Sequence, residues 1–141
     1  MEQTLAIIKP DAVLRQLMGK ILARLEAEGF IVLGLKMVYL SKTDAERFYH
    51  VHRERPFFDS LTAYMASGPS VPVLLQRDDA IQTLRTVMGA TNPAQAATGT
   101  LRQEFGVDVE KNAIHGSDSP ASAAQEIPFF FSHLDYRPRG E

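Results

Sequence analysis

The chain of 141 residues contains no cysteine, which excludes disulfides and thiolate metal sites and is compatible with a reducing compartment. Charge of one sign is also lacking. Fifteen Lys and Arg against 17 Asp and Glu leave a formal −2, so there is no general basic bias toward nucleic acid. Any charge that binds phosphate must be local. No apolar run approaches the roughly 20 residues of a membrane span. The N-terminus has no basic stretch followed by a long apolar one, so no export signal is expected. Glycine-rich phosphate loops of the Walker and dinucleotide types are missing, so phosphates would have to be held by side chains. Internal repeats and low-complexity tracts are absent too. What remains is a chain with a 45% hydrophobic fraction and a length that suits one domain, 1–141, ending in a short tail over 132–141. The default reading is a soluble cytoplasmic protein.

Hydrophobic periodicity and breakers divide the chain. Leu5 to Ile8 reads as a buried strand stopped by Lys9-Pro10. Leu14, Leu17, Met18, Ile21, Leu22 and Leu25 recur at helical spacing, with Gly29 as the stop. Phe30 to Leu40 reads as one long strand. Ser41 to Asp44 resembles a capping box ahead of a helix bearing Ala45, Phe48 and Tyr49. A short helix follows from Phe57 through Met65, and Gly68-Pro69 ends it. Val71 to Gln76 is apolar enough for a strand, but Pro72 inside it predicts an edge or an interruption. Asp78 is a candidate cap for a helix through Ile81, Leu84, Val87 and Met88, ending at Gly89. Residues 90–112 show no period and predict a long irregular loop, the kind that is often functional. A last strand near Asn112 to His115 and a helix capped by Ser119-Pro120 complete the order, and the tail from Ser132 is expected to pack loosely. The order β-α-β-α-α-β-α-loop-β-α fits an α+β, ferredoxin-like sandwich, with a four-stranded antiparallel sheet covered by helices.

The densest polar segment runs from Asn112 to Pro120. A histidine there, His115, directly follows an apolar strand and precedes a helix start. A neutral imidazole so placed is a candidate nucleophile, and Glu126 on the next helix a candidate to hold its far ring nitrogen. Read without context, the same pattern is an ordinary capped helix with an incidental histidine. Lys9 places an ammonium at a strand end. Arg85 and Arg102 offer planar forks of donors that suit phosphate, though each alone reads as surface charge. Phe57 and Phe58 are adjacent and cannot both face one core, which leaves one available to stack on a base. His50 and His52 lie two apart on a helix, a poor metal pair.

Six segments, taken in order, resemble the nucleoside diphosphate kinase family from about Thr4 to Phe131. They are Ala6 to Val13, Arg55 to Phe58, Ser67 to Pro69, Met88 to Ala94, Gly99 to Arg102, and Asn112 to Ser119. The last, with His115 at its centre, matches the family's active-site signature. The resemblance implies a phosphotransferase working by a ping-pong mechanism. The γ-phosphate of a nucleoside triphosphate, typically ATP, passes to the pros nitrogen of His115 and then to a nucleoside diphosphate. It also implies phosphate contacts from Arg85, Thr91 and Arg102, with Lys9 and Tyr49 beside the transferring group. Lys9 and Asn112 meet the sugar hydroxyls, Phe57 stacks on the base with Leu61 as its apolar neighbour, and Ser117 and Glu126 support the histidine. Mg²⁺ arrives on the nucleotide phosphates, with no metal ligand from protein side chains. The expected partners are nucleoside di- and triphosphates and further copies of the chain, in a dimer-based tetramer or hexamer. Membrane binding is not expected, and the net charge disfavours nucleic acid as the main role.

Some positions depart from the family's pattern. Val51 stands where an acid is common, Pro72 interrupts a Val-rich strand, Gln76-Arg77 replaces Glu-Gly, and Thr98 replaces a frequent proline. These put the surroundings of Tyr49 and the firmness of the loop in question.

Overall fold

The computed structural model describes residues 1–140. Strand β1 (Glu2–Ile8) is buried from Thr4 onward and lies in the middle of the sheet. Leu5 and Ile7 join one hydrophobic cluster while Ala6 and Ile8 join the other, so both faces are covered and the run is apolar without alternation. Lys9, extended at φ −80° and ψ 162°, and Pro10 at the first helical position turn the chain into α1 (Pro10–Leu14). The single long helix expected here is broken. Gln16 adopts φ 61° and a second helix, α2 (Met18–Ala27), starts afterwards.

β2 (Ile31–Leu35) and the two-residue β3 (Val38–Tyr39) replace the one strand expected over Phe30 to Leu40. Both pair antiparallel with β4 (Pro69–Arg77), which also pairs with β1. Pro72 therefore sits in an interior strand, not at an edge. Its position explains how. β2 ends its pairing at Leu35 opposite Val73, and β3 begins at Val38 opposite Ser70, so Pro72 faces the break between them. The Pro72 carbonyl accepts from the Lys36 N–H at 3.3 Å, and the missing proline N–H falls where no strand residue needs it. The break in one strand and the proline in its neighbour are the same feature.

The Ser41–Asp44 capping box is formed in full at the start of α3 (Lys42–Phe48), and a 3-10 turn over His50–His52 leads to α4 (Phe58–Met65). Phe58 packs into the core while Phe57, the N-cap, is left exposed. α5 (Ala80–Met88) begins at Asp79, with φ 53°, rather than at Asp78. Asp79 makes no side-chain cap; the Ile81 N–H instead donates to Glu2 Oε1 at 2.8 Å, an acceptor from the far end of the sequence.

The stretch 90–112 is not wholly irregular. It holds a 3-10 turn at Pro93–Gln95 and the short helix α6 (Leu101–Phe105), capped by Thr100. Gly99, directly after Thr98, is tied down on both sides: its N–H donates to Gln103 Oε1 (3.2 Å) and its carbonyl accepts from Arg24 Nη1 (2.6 Å). β5 (Ile114–Gly116) pairs with β1, giving the antiparallel order β2-β4-β1-β5 with β3 as an additional short fifth strand on β4. α7 (Pro120–Phe130) carries the expected Ser119 cap.

The tail is better anchored than its sequence suggests. Asp135 pairs with Lys36 at 3.3 Å, Tyr136 packs against the core, and the Arg139 guanidinium donates to the Val32 carbonyl. Gln76 reaches the Arg139 carbonyl, and Arg77 donates to Glu28 O at 3.0 Å while stacking over Phe30. The Gln76-Arg77 pair thus fastens two neighbouring segments to β4.

Candidate active site

β1 and β5 end side by side, and their adjoining termini assemble the polar groups. His115 lies opposite Ile7 in the register, and the Lys9 N–H donates to the Ala113 carbonyl at 2.9 Å. Ala113 itself has φ 76°, and the Ile114 N–H reaches back to Asn112 O at 3.0 Å. That is a γ-turn of the rare left-handed kind. Gly116, on the other side of the histidine, packs closely on two side chains. A Cβ there would lie 2.8 Å from Met88 Cε and 2.9 Å from Leu84 Cδ2, two side chains in the core beneath.

His115 Nε2 sits 2.8 Å from Glu126 Oε1, and the same oxygen accepts from Ser117 Oγ at 2.9 Å. A carboxylate only accepts, so it fixes the hydrogen on Nε2 and leaves Nδ1 as the lone-pair nitrogen. Phe48 and Tyr49 present ring edges to the imidazole, with centroids 5.5 and 6.0 Å away. The ring is thus held by a hydrogen bond on one nitrogen and by aromatic packing. Burial, with Glu126 adding to it, pushes the Tyr49 phenol well above its ordinary range, so it stays a hydroxyl at neutral pH. Val51, the departure from the pattern near Tyr49, points to solvent.

His115 lines a cavity of about 500 Å³. The same cavity is lined by Lys9, Tyr49, Phe57, Leu61, Arg85, Thr91, Arg102 and Asn112, so all but two of the residues expected at the site converge there. The two outside its wall, Ser117 and Glu126, stand behind the histidine.

The cations are held differently. Lys9 is 5% exposed, and its Nζ donates to Glu110 O (2.6 Å) and Asn112 Oδ1 (3.0 Å). Asn112 Nδ2 in turn donates to the carbonyls of Thr91 and Val109, pinning both ends of the loop to the site. Arg102, 8% exposed, donates to Gly89 O (3.0 Å) and Ile114 O (2.8 Å). Its acceptor Gly89 has φ 86° and no room for a Cβ against Thr100 Oγ1, 2.5 Å away. Arg85 is more open and pairs with Asp118 at 2.6 Å.

Sequence reasoning assigned no site role to three ionisable residues of the cavity wall. His52 lines it and packs on Phe57, ring centroids 5.5 Å apart. Glu110 and Asp118 line it as well, and Glu110 Oε2 accepts from Ser60 Oγ at 2.8 Å. The signal for Asp118 was its place in the same polar segment as His115.

Burial lowers the Lys9 pKa from 10.5 to about 8, with Arg102 reinforcing and Asp11, Glu110 and Asp108 opposing. Its charge is therefore lost within reach of ordinary buffers. An anion in the cavity favours the protonated form, so its affinity falls as pH rises through about 8. For folding the sign is the reverse of the usual lysine. The unfolded chain binds the extra proton between pH 8 and 10.5, so this group makes stability rise with pH across that window. Titrating ADP against the protein from pH 7 to 10 checks the first effect; the expected weakening should be absent in Lys9→Met.

Comparison with known proteins places this geometry in context. A family model described as nucleoside diphosphate kinase matches residues 2–136. A nucleoside diphosphate kinase of Geobacter sulfurreducens is 57% identical over 135 residues, 96% of this chain and 98% of that one. One from Desulfovibrio desulfuricans is 58% identical over the same length, covering 96% and 97%. Among solved structures, the Aquifex aeolicus nucleoside diphosphate kinase superposes with a TM-score of 0.95 at 47% identity, covering 96% of this chain and 99% of that one. The Halobacterium salinarum enzyme, solved in complex with CDP, gives 0.95 at 36% identity over 99% and 93%.

Proposed function

This chain belongs to the nucleoside diphosphate kinase family, and we propose that it carries out the family's phosphoryl transfer between nucleotides in two half-reactions, through a phosphorylated Nδ1 of His115. The observation that carries the reading is the Glu126 contact at 2.8 Å, which commits Nε2 and leaves Nδ1 free in a cavity walled by three cations. In the first half-reaction the Nδ1 lone pair forms a bond to the γ-phosphorus. The bond from that phosphorus to the bridging oxygen breaks, and the nucleoside diphosphate leaves with the electron pair. In the second, a terminal oxygen of another diphosphate attacks the phosphoryl group, and the electrons return to Nδ1. One site serves both nucleotides.

Arg85, Arg102 and Lys9 spread the charge of the phosphoryl oxygens, and Tyr49 offers a hydroxyl donor beside the imidazole. Thr91 joins the phosphate contacts, while Lys9 and Asn112, already bonded to each other, meet the sugar hydroxyls. Phe57, exposed and backed by His52, stacks on the base, with Leu61 flanking it. Stacking reads a face that every base has, so base selectivity is low. Ser117 and Glu126 keep the imidazole oriented through both steps.

Among the described residues no group of three or more His, Asp or Glu is placed to hold a metal ion. The cavity's carboxylates are engaged by Arg85 and Ser60. Mg²⁺ carried on the nucleotide phosphates would supply charge neutralisation there, with Arg85, Arg102 and Lys9 meeting the remaining oxygens. No helix among the described residues is long and apolar enough to cross a membrane. A cytoplasmic location, one functional unit over the whole chain, and a homo-oligomer built from dimers complete the proposal.

The test is incubation with γ-³²P-ATP and Mg²⁺, then a chase with GDP. Acid-labile, alkali-stable label that moves to GTP is the expected result. Nucleotide bound without label would show a fold kept for binding alone.

A further inference from the structure

The cavity wall contains a carboxylate whose only visible work runs against the binding of phosphate. Asp118 follows β5 by two residues and is 72% exposed at its side chain, yet it holds Arg85 Nη1 at 2.6 Å. Arg85 is itself 46% exposed, on the last turn of α5. The other guanidinium, Arg102, is fixed by two backbone carbonyls. Arg85 is therefore the arginine whose present partner can be exchanged.

We propose that Asp118 is a positioning residue that occupies Arg85 as an internal substitute for phosphate, weakening nucleotide binding and hastening nucleotide release. The proposal rests on the cavity being the nucleotide site. A carboxylate and a phosphate oxygen offer the same kind of acceptor to a guanidinium fork. An Arg85 Nη1 hydrogen engaged with Asp118 is not engaged with a nucleotide, and the displaced carboxylate remains nearby as a repelling charge. A two-step transfer through one site requires that each product leave before the next nucleotide enters, and tight holding of the diphosphate would slow both directions.

The variant is Asp118→Asn, which keeps the shape and removes the charge. ADP binding is measured by calorimetry at low salt, with and without Mg²⁺, and ADP release by stopped flow. The expected result is tighter binding by about two- to fivefold, the scale of an exposed ion pair, with release slowed in proportion. The gain should shrink at ~1 M salt, where the Debye length is about 3 Å, and shrink in an Arg85→Ala background, where there is no partner to free. A carboxylate needed only for structure would give the opposite sign. Unchanged or weaker ADP binding by Asp118→Asn overturns the proposal, and weakening confined to the Mg²⁺ series would assign the carboxylate to the metal. Wild-type protein that binds no ADP would instead remove the reading of the cavity, and the proposal with it.

Discussion

His115→Ala should lose phosphoenzyme formation completely while still binding ADP. The imidazole supplies the bond-forming lone pair, and the other histidine of the cavity wall, His52, is packed on Phe57. Lys9 Nζ is engaged with Glu110 O and Asn112 Oδ1, and Tyr49 is kept as a neutral phenol by burial. Removal of the nucleophile costs the whole covalent route, a loss on the order of 10⁴-fold or more in turnover when catalytic groups act as a unit. Binding should survive, because the phosphate and base contacts belong to other residues. The variant also frees Glu126 and Ser117, which keep each other's hydrogen bond at 2.9 Å. Label retained by the variant in the γ-³²P-ATP assay would place the nucleophile elsewhere. Glu126→Gln offers a finer check. An amide can present its NH₂ to Nε2 and favour the other tautomer, moving the hydrogen to Nδ1, so phosphorylation should slow without loss of nucleotide affinity.

Arg102→Ala should have the second-largest effect, and on two separate quantities. The side chain is buried, and two of its five N–H donors hold the carbonyls of Gly89 and Ile114. Those carbonyls belong to the start of the loop and to the strand of His115. Leaving them without partners should lower folding stability by about 2–6 kcal/mol, at about 1–3 kcal/mol for each of the two buried groups left unsatisfied. Burial, with Arg85 close by, pushes the guanidinium down to about 10, so it is still a cation at neutral pH. Its loss from the phosphate site should slow transfer by about 10²–10³-fold, the cost of removing one preorganised donor. Urea unfolding measures the first effect, and single-turnover transfer well below the lowered melting temperature measures the second. Arg102→Lys should restore part of the charge and little of the stability, since an ammonium cannot span both carbonyls. Wild-type stability in Arg102→Ala would show that the two backbone contacts contribute nothing.

Much of this was legible because local chemistry and final structure agree. The Ser41 and Ser119 caps, the stop at Gly89 and the strand end at Lys9-Pro10 follow from short-range rules, and each appears as read. What escaped depended on distant partners. Pro72 read as the mark of an edge or an interrupted strand because nothing local reveals that the neighbouring strands break opposite it. The N-terminus of α5 is served by Glu2, which no window around Asp78 contains. α6 is only five residues long, too short for a period to show.

The site was legible by a different route. His115, Lys9, Arg85 and Arg102 each read as ordinary alone, and it was the order of six motifs that joined them. Asp118, inside the signature segment, and His52, beside recognised residues, were given no role, and only the folded chain brings them to the wall. Val51 and Thr98, the departures from the family's pattern near Tyr49 and in the loop, both sit in plain surroundings. One side chain points into solvent, and the other precedes a glycine fastened at both its N–H and its carbonyl.

The left-handed turn at Ala113 also bears on how this chain can change over time. An alanine in that conformation costs on the order of 1–3 kcal/mol, and glycine would be free of most of it. The rest of the fold, including the Lys9 and Arg102 contacts on either side, holds the turn in shape. A glycine at 113 is therefore a substitution that makes the molecule easier to fold and its nucleophile less sharply aimed. Alanine at 113 thus trades local strain for a backbone held to a single course into His115.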